Sequence, residues 1–114
     1  MIEFNHYQNE TRRTAGKPKT EGVPEIVVLA LGLTGEAGEA ADILKKHFGH
    51  GHDLDKQKVA KELGDVLWYV ARMADELGFK LSEVAEMNVE KLRARYPQGF
   101  STEASIARVD TVKT

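Results

Sequence analysis

The sequence predicts an all-α protein, an antiparallel bundle of about four helices. Apolar residues recur at helical spacing through long segments, turns rich in glycine or proline separate those segments, and no stretch alternates with period two as a strand would. At 114 residues the chain makes one domain over 1–114, long enough to bury roughly two-thirds of its unfolded surface.

The first helix is expected over about Phe4 to Ala15, and Gly16-Lys17-Pro18-Lys19-Thr20-Glu21-Gly22 breaks it. Pro24 suits the first turn of a long second helix reaching about Phe48, with Leu29, Leu33, Ala40 and Ile43 on one face. The loop Gly49-His50-Gly51-His52-Asp53 leads to a third helix, about Leu54 to Leu77, whose inner face carries Val59, Val66, Val70, Met73 and Leu77. Gly78 fits the position just past its end. Ser82 is a reasonable N-cap for a fourth helix, about Glu83 to Tyr96, closed by Pro97 and Gly99. From about residue 101 the chain is a short polar tail with room for one helical turn.

Composition narrows the function classes. Net charge is −2, with 16 basic and 18 acidic residues well mixed, so neither a nucleic-acid polymer nor a membrane surface is an expected partner. No run approaches a membrane span, and the start lacks the order of a signal peptide. The absence of cysteine removes thiolate metal sites and cysteine nucleophiles and fits a cytoplasmic protein.

Two acidic pairs dominate the chemistry: Glu36-Ala37-Gly38-Glu39 and, after 22 intervening residues, Glu62-Leu63-Gly64-Asp65. Each has the i, i+3 spacing of one helix face. Glu36 falls in the middle of the second helix's apolar face and Glu39 at its edge, while Glu62 and Tyr69 border the inner face of the third helix and Asp65 lies one step further out. Two like charges about 5 Å apart repel by roughly 3 kcal/mol at an effective dielectric of about 20. Four gathered carboxylates therefore bind cations, take up protons or splay apart. Hard carboxylate oxygens suit Mg²⁺ or Mn²⁺.

Glycine placement points to the same region. Gly32, Gly35, Gly38 and Gly64 each cost about 0.8–1 kcal/mol against alanine in a helix interior. They permit close helix packing, room for a ligand beside the acids, or both. Trp68 lies off the main apolar stripe and needs cover from a partner subunit, another helix of its own chain, or a ligand ring. On the fourth helix Asn88, Lys91 and Arg95 form a polar stripe that by default is a solvated face. Beside a metal cleft it would supply the cations and amide donors that phosphates need.

These residues resemble the MazG-like nucleoside triphosphate pyrophosphohydrolases of the all-α NTP pyrophosphatase superfamily. The signature of that family, an E-x-x-E helix followed by E-x-x-D on the next, is matched by Gly35 to Lys46 and by Glu62 to Tyr69. Asn88 to Pro97 with Gly99-Phe100, and Tyr7-Gln8 with Arg13-Thr14, also look like the family, so the resemblance spans about residues 4 to 100. It implies Mg²⁺-dependent hydrolysis of a nucleoside triphosphate to monophosphate and pyrophosphate, a role in nucleotide housekeeping, and a homo-oligomer, dimer or tetramer. By position, Glu36, Glu39, Glu62 and Asp65 would ligate metal, with Glu36 or Glu39 as the general base. Asn88 and Lys91 would bind the triphosphate, and Arg95, Tyr69 and Trp68 are weaker substrate-binding transfers.

Two rivals stand beside this reading. Carboxylate-bridged di-iron bundles use Glu-x-x-His pairs, and neither acidic helix carries one. A non-catalytic helical module that binds nucleotide or a protein partner is the alternative from another class; the intact acids argue against it. His47, His50 and His52 could form a metal or substrate site, although such a glycine-rich loop is more often plain surface.

Overall fold

The computed structural model describes residues 1–111. Among them the chain forms five helices and no strand: α1 (Phe4–Thr11), α2 (Glu25–His50), α3 (Lys56–Glu76), α4 (Leu81–Arg95) and α5 (Thr102–Ala107), with single 3-10 turns at Arg12–Thr14 and Val109–Thr111. The all-α expectation holds. None of these helices is long and apolar enough to cross a membrane.

Helices α2 and α3 share the largest contact in the chain. Pro24 sits in extended geometry, and its carbonyl accepts the Val27 N–H at 3.1 Å, starting α2. The helix runs two residues past the expected Phe48 because Gly51, not Gly49, takes the left-handed conformation, at φ 76°. Helix α3 starts at Lys56 rather than Leu54. Asp55 stays extended while its carboxylate accepts from the backbone of Gln57 at 3.0 Å and Lys58 at 3.2 Å, an N-cap worth about 1 kcal/mol. At the other end Gly78, at φ 83°, donates to Asp75 O at 3.1 Å and Phe79 donates to Ala74 O at 2.8 Å. This is a Schellman ending, as the glycine suggested.

Helix α4 begins at Leu81, so Ser82 lies inside the first turn instead of capping it. The backbone N–H of Ser82 goes to Asn5 Oδ1 at 3.0 Å, and the Glu83 carboxylate reaches back to the Lys80 N–H at 2.8 Å. The same corner holds α1. Buried Gln8 donates from Nε2 to Phe79 O at 2.9 Å and accepts the Leu81 N–H at 2.8 Å, satisfying two backbone groups of the α3–α4 turn. Buried Arg72 donates to Thr11 Oγ1 at 2.9 Å and to Asp75 at 2.6 Å, while Arg12 reaches Asp75 at 2.7 Å. A polar clasp, rather than an apolar stripe, docks α1.

The buried apolar residues among those described are few: Leu29, Ala71, Ala74 and Leu81. Leu77, placed on the inner face by its periodicity, is 62% exposed, because α3 has already turned out at the Schellman motif. The tail is more ordered than its sequence pattern suggested. Ser101 Oγ accepts the Ala104 N–H at 3.1 Å to start α5, and the Arg95 guanidinium forms two bonds to Asp110, at 2.5 and 2.7 Å. Residues 112–114 of that tail lie outside the described residues.

The chain exposes 8792 Å² and has a radius of gyration of 17.4 Å. A compact chain of this mass exposes about 6,200 Å², and one of this length has a radius near 13 Å.

Candidate metal centre

The seam between α2 and α3 is zipped in register. Gly32 lies under the ring of Tyr69, so close that a Cβ there would overlap it, and Glu36 meets Glu62 and Asp65 further along. Further still, Ile43 and Lys46 share a cavity with Lys58. Of the four glycines singled out from the sequence, only Gly32 serves close packing. Gly35, Gly38 and Gly64 face open space beside the acids.

Three of the four predicted acids converge. Carboxylate oxygens of Glu36, Glu62 and Asp65 lie within 4.8 Å of one another, a spacing that one cation can bridge. Glu36 and Glu62 are half-buried and Asp65 is exposed. A hydrogen bond to Glu62 holds the Glu36 carboxyl above its ordinary range; partial burial and the charges of Asp65, Glu62 and Glu39 push the same way. The crowded carboxylates therefore favour the protonated form of Glu36 more than an isolated glutamate would. Glu39 is exposed, stands outside the tight group, and shares the wall of a neighbouring cavity with Glu62.

Two sets of neighbours were given no role in the site from the sequence. Tyr7 of α1 reaches the cluster, its hydroxyl donating to Gly64 O at 3.4 Å, and burial and then the Asp65 charge push its phenol up. Lys46, Lys58 and Lys61 line the cavity of about 450 Å³ that Glu39 and Glu62 also line, with Lys46 paired to Asp42 at 2.9 Å. Spacing carried the signal. Lys58 precedes Glu62 by four residues and Lys46 follows Glu39 by seven, each on its acid's own helix face.

The remaining predicted residues are placed as follows. Trp68 is half-buried; its Nε1 donates to Thr14 Oγ1 at 2.8 Å, and its ring meets Tyr69 edge-on at 4.9 Å. Its surroundings come from the chain's own connection into α2, through Gly16, Lys17 and Pro18, and from Val28 and Leu29 of α2. Asn88 and Lys91 are exposed on α4, whose contacts run mainly to α1, α3 and the C-terminal segment. Arg95 is occupied by Asp110. The histidines serve the turn after α2: His47 Nδ1 is 2.7 Å from the His52 carbonyl, and the His52 N–H bonds to Lys46 O at 3.0 Å. Among the described residues they join no three-ligand metal group.

The family model described as the MazG nucleotide pyrophosphohydrolase domain matches residues 26–100. The chain belongs to this family. The Gene 37 protein of Mycobacterium phage L5 is 34% identical over 95 residues, which cover 80% of this chain and 83% of that one. No solved structure matches the chain. The MazG match takes in both acidic pairs, the seam lysines and the Asn88, Lys91 and Arg95 stripe. It leaves out α1, the connection into α2 and α5.

Proposed function

We propose that this chain is a divalent-metal-dependent pyrophosphohydrolase that cleaves a nucleoside triphosphate to the monophosphate and pyrophosphate. The convergence of Glu36, Glu62 and Asp65 from two helices of a MazG domain is the observation that carries this reading. The donor set fits the group: oxygen-only and anionic, with a protonation-prone member that marks uncompensated charge. Glu36, Glu62 and Asp65 would hold Mg²⁺, or Mn²⁺ in its place. When bound, the ion supplies Lewis-acid polarisation of the phosphoryl group and a lower pKa for water.

The protein's own groups do the rest. Glu39, beside the tight group, is the carboxylate we assign to take the proton from the attacking water, with Glu36 as the other member of the first pair. Lys46, Lys58 and Lys61 place cations along the cavity that the acids open into, where phosphate oxygens would need them. Asn88 and Lys91 are assigned to the triphosphate on the family resemblance. Arg95 can join them only by giving up Asp110.

We also propose an antiparallel bundle that works as a homo-oligomer, a dimer or a pair of dimers. Support comes from the surface: 8792 Å² is about 2,600 Å² more than a compact chain of this mass leaves exposed. That excess matches what a subunit buries in a large obligate interface. Leu31, Phe48 and Leu63, at 69%, 79% and 56% exposure, belong to it.

The test is turnover of a panel of nucleoside triphosphates with and without Mg²⁺. Pyrophosphate should accumulate only with metal. Release of orthophosphate instead, or turnover unaffected by chelation, contradicts the reading.

A further inference from the structure

The connection into α2 folds across the α2/α3 seam and forms one wall of an open cavity of about 200 Å³, lined by Lys17, Pro18, Glu25, Val28, Trp68 and Tyr69 among others. It begins where the acid cluster ends. Tyr69 follows Asp65 by four residues on α3, and the glycine beneath it, Gly32, precedes Glu36 by four on α2, a rise of about 6 Å on each helix. A molecule with phosphates at the acids would have its other end here.

The walls suit a planar heterocycle. Trp68 and Tyr69 supply aromatic surface, and Pro18 and Val28 supply apolar surface. The indole is fixed rather than free, because its only donor is committed to Thr14 at 2.8 Å. Set into these walls is one charged pair: the Glu25 carboxylate, 20% exposed, with the Lys17 ammonium at 3.6 Å and 88% exposed. An ionised carboxylate only accepts hydrogen bonds. It welcomes an exocyclic amine and repels a carbonyl oxygen at the same place, the chemistry by which acidic side chains read the cytosine amine.

We propose that this cavity takes the base of the nucleotide and that Glu25 selects bases carrying an exocyclic amine over their keto counterparts. The proposal rests on the pyrophosphohydrolase reading for the identity of the ligand. Lys17, Pro18 and Glu25 lie outside the span of the MazG match, while Val28, Trp68 and Tyr69 lie within it.

Trp68 is the chain's single tryptophan, so its fluorescence reports the cavity directly. Titration of the wild-type protein with CMP and with UMP uses probes that keep the base and need no hydrolysis. CMP should quench Trp68 and bind about tenfold tighter than UMP, the discrimination expected of one good base contact. Glu25→Gln, whose amide can both donate and accept, should bring the two affinities within about twofold. Lys17→Met, on an exposed side chain, keeps the carboxylate and should keep the preference, which separates selection by Glu25 from general disturbance of the connection. Equal affinities in the wild type, quenching by neither nucleotide, or an unchanged preference in Glu25→Gln would each overturn the proposal. Because no turnover is required, these results stand apart from the activity assay: triphosphates left intact while CMP is still preferred would sink the hydrolase reading and spare the cavity.

Discussion

The pair Glu36 and Glu62 shows the crowding in the acid cluster, since a hydrogen bond between them holds the Glu36 carboxyl above its ordinary range. Glu62→Gln is expected to lower hydrolysis by more than about 100-fold, the loss typical when a group serving transition-state charge is removed. Without metal, the same variant should unfold at a temperature no lower than the wild type, because a repulsive charge is gone and an amide can still bond Glu36. Thermal melts with chelator, beside turnover with Mg²⁺, check both halves. Asp75 is the opposite case. Its bond to Arg12, followed by that to Arg72, holds its carboxyl down to about 2. The native value lies below the unfolded one, near 3.9, so its stabilisation is complete above about pH 4 and is lost as pH falls toward 2. Asp75→Asn should cost about 1.5–3 kcal/mol at pH 7 in urea unfolding, and the gap from wild type should close near pH 2. The acids were readable from the sequence because i, i+3 spacing fixes a helix face. The clasp of Gln8, Thr11, Arg72 and Asp75 was not: Gln8 bonds residues more than 70 positions away, and no local pattern encodes that pairing.

Helices α2 and α3 were readable as elements because their apolar periodicity is long, and their ends were less so. In Gly49-His50-Gly51 either glycine satisfies the rule for a helix stop, and the left-handed conformation falls on the second. Asp55 and Ser82 are both good capping residues; one caps, and the other has its backbone N–H taken by Asn5. The tail reads weakly because α5 has only six residues and is pinned through Arg95 and Asp110, fifteen residues apart. The helical glycines separate packing from ligand space. Gly32→Ala would drive a methyl into the Tyr69 ring and should destabilise by about 1–3 kcal/mol. Gly35→Ala meets open space and should stabilise by up to about 1 kcal/mol while lowering turnover, if the space beside Glu36 belongs to substrate. Denaturation midpoints for both variants, with kcat/KM for the second, decide this.

For the molecule as a whole, the sequence could show that Trp68 lay off the core stripe but not where its cover would come from. The structure supplies some of it from the connection into α2, and the proposed second copy would supply the rest. Sedimentation at micromolar concentration should give a dimer or larger, and Leu31→Lys should shift it toward monomer; a wild-type monomer with full turnover contradicts that assembly. The central claim, that the α2/α3 acids direct water to the α-phosphorus of a nucleoside triphosphate, is tested most directly by hydrolysis in ¹⁸O-water with Mg²⁺ and mass analysis of the products. One labelled oxygen should enter the nucleoside monophosphate and none the pyrophosphate. Label in the pyrophosphate, or in released orthophosphate, would contradict it.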